Sequence, residues 1–137
     1  MQTNADLTLY NRIPGPDGAL WKRTQIAGVN WQDGKKVEIG DTGLVSADLT
    51  TIFIPFQSTS GYLRPNEFLQ AEEKENCFTL QNGDLVVRGR IDFDLTGEPG
   101  QDEKALRRRY DDVMTIISVD TNDFGSPQMQ HWEVAAK

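Results

Sequence analysis

Apolar and polar residues near the C-terminal end of the chain form a pattern that predicts two antiparallel strands. Residues 113–119 and 128–134 are rich in β-branched and aromatic residues, and a cluster of Asn, Asp, Gly, Ser and Pro separates them at 120–127. Two such runs around turn-forming residues are typical of a β-hairpin. Both faces of the first run are largely apolar, with Val113, Thr115, Ile117 and Val119 on one and Met114, Ile116 and Ser118 on the other. This indicates a strand covered on both sides, in a small barrel or at a subunit contact.

A second hairpin is predicted at the N-terminal end. Residues 6–13 alternate, with Leu7, Leu9 and Ile13 opposite Asp6, Thr8, Tyr10 and Arg12, as in a half-buried strand. Pro and Gly in residues 14–18 supply the turn, and residues 20–31 form a longer strand in which Gly28 marks a bulge or a bend.

The middle of the chain predicts shorter elements. Residues 49–56 and 84–89 are predicted to form strands. Pro55 places the end of the first strand at an edge of the sheet, and residues 91–95 are a candidate continuation of the second strand. Residues 65–71 and 102–110 predict short helices, and residues 32–48 predict a long loop that projects from the body. The fold class is therefore mainly β, a small antiparallel barrel or sandwich with one or two short helices and long loops, in a single domain over 1–137.

Composition narrows the classes of function. The net charge of -7 argues against a protein that grips nucleic-acid phosphates, although an acidic surface suits DNA that must slide past. A hydrophobic content of 37% favours long polar loops or oligomer contacts. Cys77 is the only cysteine, which excludes an intrachain disulfide and a Cys-based zinc site. A polar start and the lack of an apolar stretch of ~20 residues predict synthesis and folding in a reducing cytoplasm.

Candidate catalytic groups are few. His131 is the only histidine, so a nucleophilic site would need it beside Cys77, and a packing or interface role in a strand is the favoured interpretation. Asp92 and Asp94 share one face of a strand as a glycosidase pair or a calcium site would, but a solvated strand face explains them as well. The Asp-Thr-Asn-Asp sequence at 120–123 is explained by turn chemistry without a metal.

Two further groups have a structural and a functional interpretation. Lys104, Arg107 and Arg108 lie on one helical face and could contact phosphate, but acidic neighbours favour a neutralised helix end. The three tryptophans are expected in the core, with a carbohydrate-stacking platform or an interface anchor as the alternative: Trp21, Trp31 and Trp132.

Several segments resemble a family of small proteins encoded among the head and neck genes of tailed phages and prophages of Gram-positive bacteria. They are NADLTLYNR (4–12), LWKRT (20–24), GVNW (28–31), TLQNGDLVVRG (79–89), YDDV (110–113) and GSPQMQHW (125–132). The order of elements is also similar to the head-closure (stopper) proteins of long-tailed phages, with segments 67–75 and 97–110 as additions. The resemblance implies a small β-barrel that forms a ring between the portal or adaptor and the tail terminator, with the loop 32–48 reaching towards the channel to retain packaged DNA.

We therefore expect a non-enzymatic structural protein of the virion at the head–tail junction, made in the host cytoplasm and needing no metal or cofactor. Its partners would be copies of itself, the portal or adaptor, the tail terminator, and double-stranded DNA passing without sequence-specific binding. The loop residues expected to contact the channel or a neighbour are Lys35, Lys36, Glu38 and Asp41, and those expected to contact an adjacent ring are Arg107, Arg108 and Arg109.

Three alternatives remain open from the sequence. A tail-terminator or adaptor subunit would make the same kind of contacts one ring away. A carbohydrate-binding module requires Trp21, Trp31 or Tyr10 to face solvent on a concave sheet. An enzyme requires a cleft that brings His131 to Cys77 or to a carboxylate pair.

Overall fold

The computed structural model describes residues 2–16, 18–33 and 49–137, together with the backbone of two short strands between them. The strands are β1 (Ala5–Gly15), β2 (Gly18–Asp33), β3 (Glu38–Ile39), β4 (Leu44–Val45), β5 (Thr50–Pro55), β6 (Leu85–Arg88), β7 (Val113–Asn122) and β8 (His131–Ala136). Two helices, α1 (Pro65–Gln70) and α2 (Glu103–Arg109), and a 3-10 turn at Phe56–Ser58 lie between the strands.

Six of the strands close into an antiparallel barrel in the order β1-β2-β5-β8-β7-β6, while β3 and β4 pair separately with each other. The two longest strands change partner along their length. β2 pairs with β1 up to Val29 and with β5 from Asn30, and β7 pairs with β6 up to Thr115 and with β8 from Ile116. The barrel is therefore flattened, with two layers joined through β2 and β7. This confirms the predicted mainly β barrel or sandwich with two short helices.

Both predicted hairpins are present, β1 with β2 and β7 with β8. In the pairing of β1 with β2, Asp6 lies opposite Ala27 and Ala5 lies opposite Val29, so Gly28 has no residue opposite it. Gly28 has a φ of 86° and its N–H donates to Asp6 Oδ1 at 3.1 Å. This confirms the predicted bulge, which glycine accommodates because it has no Cβ. Pro55 ends β5 beyond its pairing with β2, where only β8 lies beside it.

Apolar side chains fill the inside of the barrel. The fourteen residues of this cluster are Leu7, Leu9, Ile26, Val29, Trp31, Ile52, Ile54, Phe78, Leu80, Val86, Ile116, Trp132, Val134 and Ala136. Most of them alternate along the strands, as a closed sheet requires. Phe78 and Leu80 come instead from the segment that links α1 to β6.

A second apolar cluster lies on the outer face of β1, which the sequence predicted to be half-buried. Tyr10 and Thr8 are both 0% exposed, so that prediction is wrong for the middle of β1. The cause is the segment at 89–95, which crosses over β1 instead of continuing β6 as a strand. Thr8 Oγ1 donates to the Gly89 carbonyl at 2.7 Å, and the Tyr10 hydroxyl donates to the Phe93 carbonyl at 2.7 Å.

A bulge also alters β7. The pairing with β8 shifts between Ile116 and Ser118, which leaves Ile117 39% exposed and packs Val119 against the barrel core. The prediction of a strand covered on both faces therefore holds for the first residues of β7 only. A one-residue bulge reverses the faces that follow it, because side chains alternate along a strand.

Both helices lie where the sequence predicted them. α1 buries Phe68, and α2 buries Leu106. Asp102 caps α2, since its side chain accepts a hydrogen bond from the Ala105 N–H at 2.9 Å.

Candidate interaction surface

His131, the histidine considered as a candidate catalytic group, is held by contacts within the fold. His131 Nδ1 lies 2.8 Å from the Met129 carbonyl, and Nε2 lies 3.0 Å from the Asn122 side-chain amide. A carbonyl can only accept, so Nδ1 carries the proton and Nε2 accepts from Asn122. The Phe53 ring packs edge-on against the imidazole at 5.4 Å between centroids. Both ring nitrogens therefore have partners, as expected of a strand histidine with a packing role.

Cys77 lies elsewhere, half-buried in a cleft of about 470 Å³ that Lys22, Thr24 and Ser60 also line. Its hydrogen-bonded neighbour along the backbone is Lys74, whose carbonyl accepts from the Cys77 N–H at 3.1 Å. The structure does not bring Cys77 and His131 into a hydrogen bond among the residues it describes.

Asp92 and Asp94 lie in the crossing segment at 89–95, so the predicted strand face is wrong. Gln25 donates to Asp92 Oδ1 at 3.2 Å, and Arg23 forms an ion pair with Asp94 at 3.0 Å. The two carboxylates thereby fasten the crossing segment to β2. Within residues 2–16, 18–33 and 49–137, no three His, Cys, Asp or Glu side chains are grouped closely enough to hold a metal ion.

Arg107 is used within the fold. Its guanidinium donates to the Val113 carbonyl at 3.0 Å and to Thr115 Oγ1 at 2.9 Å, and it also contacts Glu103 at 3.3 Å. These bonds attach α2 to the start of β7. The Arg107 side chain is still 38% exposed, so its contact with an adjacent ring stays a prediction. Arg108 and Arg109 are exposed and remain candidates for such a contact.

The loop residues predicted to contact the channel cannot be placed. Lys35, Lys36 and Asp41 lie outside the described residues, and Glu38 is described only through its backbone in β3. What is described is the antiparallel pairing of Glu38 with Val45 and of Ile39 with Leu44.

The exposure of the aromatic residues tests the alternative that the protein is a carbohydrate-binding module. Trp31 and Trp132 are 3% and 5% exposed, which confirms their core assignment, and Tyr10 is fully buried. Neither Trp31 nor Tyr10 can therefore serve as a solvent-facing stacking platform. Trp21 is half-buried against the second cluster.

Sequence reasoning missed Asp84, a fully buried carboxyl group that follows the Asn-Gly turn before β6. Its side chain accepts hydrogen bonds from the Asn11 side chain at 2.7 Å, the Arg12 N–H at 2.9 Å and the Gln81 side chain at 3.2 Å. Burial raises the pKa of Asp84 to about 6 against the opposing effect of these donors. Asn11 completes the cluster by donating to the Thr79 carbonyl at 2.7 Å. All these contacts join strands to turns, so we assign the cluster a structural role.

The loop between β7 and β8 exposes apolar side chains. Phe124 is 74% exposed and Met129 is 65% exposed. The loop is held in shape by its own hydrogen bonds, from Gln130 Nε2 to the Asp123 carbonyl at 3.0 Å and from the Met129 N–H to the Ser126 carbonyl at 2.8 Å. We call residues 123–130 the apolar tip. Sequence reasoning treated this loop as turn chemistry alone, although a phenylalanine among Asn, Asp, Gly, Ser and Pro was a usable signal.

The family model described as "Family of unknown function (DUF6751)" matches residues 2–137. No curated protein and no solved structure matches the chain. In the part of the chain that is described, neither helix offers the apolar length that a membrane crossing requires.

Proposed function

The chain belongs to DUF6751, a family of unknown function, and we propose that it is a structural, non-enzymatic protein of the phage virion. In this proposal it forms a ring of the head-closure type between the portal or adaptor and the tail, and it retains and passes the packaged DNA. It is present in the host cytoplasm during assembly. The sequence resemblance at 4–12, 79–89 and 125–132 to small proteins of phage head and neck regions supports this role.

The apolar tip is the observation that carries the proposal. Large exposed apolar side chains on a loop with internal hydrogen bonds are typical of a surface that meets another protein. Burying Phe124 and Met129 against a neighbour would remove both from water without a loop rearrangement. A small barrel gains stability in this way, because a closed ring supplies burial that the isolated subunit lacks.

The net charge of -7 supports passage of DNA without binding, because a mostly acidic surface repels phosphates. We propose Arg107, Arg108 and Arg109, in the last turn of α2, for contact with an acidic surface of an adjacent ring. The residues proposed for the channel or neighbour contacts stay Lys35, Lys36, Glu38 and Asp41. A tail-terminator or adaptor subunit would use the same kinds of surface and is the alternative within this class.

Localisation in particles tests the proposal directly. Mature particles and tailless heads of the phage that encodes the chain would be purified, and the chain would be sought by mass spectrometry and by cryo-electron microscopy. We expect the chain in a ring at the portal vertex. Its absence from particles and from their precursors would refute the proposal.

A loop deletion tests the DNA-retaining role. A phage that lacks residues 34–43 should produce a folded protein but heads that leak DNA or lack tails. Normal infectious particles from that deletion would remove the loop from the proposal, while the localisation experiment would still decide the ring itself.

A further inference from the structure

Two strand edges in the described part of the barrel lack a backbone partner. Residues 19–27 of β2 pair with β1 on one side only, because β5 pairs with β2 from Asn30 onwards. Residues 118–122 of β7 pair with β8 on one side only, because β6 pairs with β7 up to Thr115. The two unpaired edges arise because β2 and β7 each change partner along their length. Unpaired backbone N–H and C=O groups on such edges can accept a further strand.

Each edge borders an open cleft. Lys22, Thr24 and Gln25 of β2 line the cleft of about 470 Å³ already described at Cys77. Thr121 and Asp123 line a second cleft of about 700 Å³ between the end of β7 and the segment at 62–67.

The two edges carry opposite charges. Lys22 and Arg23 lie on the β2 edge, whereas Asp120 lies on the β7 edge and Asp123 follows it. Arg23 is already paired with Asp94, whereas Lys22 donates to a neutral group, Thr24 Oγ1 at 2.9 Å, and shares its cleft with Glu75. Burial lowers the pKa of Lys22, and the nearby Cys77 and Glu75 oppose that effect.

We propose that the β2 edge at 19–27 of one copy pairs with the β7 edge at 118–122 of a second copy, with Lys22 close to Asp120. The occupant is a second copy because the complementary edge, in charge and in free backbone groups, lies on the same chain. Such pairing joins two different surfaces, so it is head-to-tail and continues into a ring or an open filament. The inference rests on the proposed function only in that it names the contact by which the subunits would associate.

Charge reversal tests the pairing in the full chain. Lys22→Glu and Asp120→Lys should each weaken self-association by about tenfold or more at low salt, because each places like charges across the contact. The double variant should restore it. Lys104→Glu, an exposed reversal on α2, is the matched control and should leave self-association unchanged. Light scattering after size exclusion and native mass spectrometry give the oligomer sizes.

Hydrogen exchange gives a readout that does not depend on any variant. In the associated wild-type protein, alternate amides within 19–27 and 118–122 should exchange more slowly than in the dilute monomer, whereas amides in the β5–β8 ladder should not change. Unchanged exchange at both edges in the associated protein would overturn the pairing, as would a chain that stays monomeric at millimolar concentration.

A third outcome is increased association. If the charge of Lys22 prevents pairing at the β2 edge, reversing or neutralising that charge would increase self-association, and the inference would be wrong. The presence of the chain in particles is measured separately, so a refuted pairing leaves the proposed function standing. Absence from particles refutes the function while the solution measurements still decide the pairing.

Discussion

Asn11 and Asp84, 73 residues apart in the chain, form a hydrogen bond of 2.7 Å in the interior of the protein. The Asn11 amide is fixed in orientation because it also donates to the Thr79 carbonyl and accepts from the Thr79 N–H at 3.2 Å. The amide group that faces Asp84 is therefore the Nδ2 donor, so the side chain at position 84 must offer a hydrogen-bond acceptor. The bond joins β1 to the turn before β6, and the Asp84 carbonyl extends the link to the Ile116 N–H of β7 at 2.8 Å.

The raised pKa of Asp84 makes the free energy of unfolding depend on pH. Because the folded pKa of about 6 exceeds the ordinary value of 3.8, the folded state binds the proton more tightly. The associated stabilisation is complete below the ordinary pKa and is lost as pH rises through about 6, a change of about 3 kcal/mol. Asp84→Asn removes this titration. The free energy of unfolding of the wild type minus that of the variant should therefore fall by roughly that amount from pH 4 to pH 7. Urea unfolding at several pH values measures it. Parallel profiles for the two proteins would contradict the prediction.

Arg107 should contribute to stability although it lies at the surface. Arg107→Ala removes its bonds to the Val113 carbonyl and Thr115 Oγ1 and should lower the free energy of unfolding by about 1 kcal/mol, a value discounted for solvent exposure. Arg108→Ala removes the same charge from the next position, without such bonds, and should change stability little. Equal effects of the two substitutions in thermal unfolding would rule out the proposed attachment of α2 to β7.

Substitution by alanine should lower the free energy of unfolding more at Gly61 than at Gly97. Both have positive φ values, 92° and 88°, so alanine strains either backbone by ~1 kcal/mol. A Cβ at Gly61 would collide with the Asn76 carbonyl, whereas a Cβ at Gly97 meets open space. Gly61→Ala should therefore cost about 2 to 4 kcal/mol, the strain plus the steric term, and Gly97→Ala only the strain. Chemical denaturation of both variants distinguishes these values, and a Gly61 variant as stable as the Gly97 variant would refute the close approach.

The apolar tip should matter for association and not for folding. Phe124→Ser and Met129→Ser remove side chains that are mostly exposed, so thermal stability should stay within about 0.5 kcal/mol of wild type. Incorporation into particles should fall by about tenfold or more if the tip meets a neighbour. Leu69→Ser, at a residue of α1 that is 42% exposed, is the control for general loss of surface apolarity. Normal incorporation of both tip variants would separate the tip from assembly.

The sequence by itself determined the elements whose signals are local. Alternation at 6–13, β-branched residues at 113–119, turn residues at 14–18 and 120–127, and the charge pattern at 102–110 predicted two hairpins and a helix that the structure contains. These signals suffice because side-chain direction alternates along a strand and because charges at a helix end interact with the helix dipole within one turn.

Tertiary structure decided which surfaces those elements present. The burial of Tyr10, the shift of faces at Ile117, the internal use of Arg107 and the acceptor at Asp84 all depend on segments distant in sequence. Alternation shows that a strand has two faces, but what covers each face depends on which part of the chain crosses it. The two unpaired edges have the same origin, because they arise where β2 and β7 exchange partners, and that exchange is a property of the closed sheet and not of either strand alone.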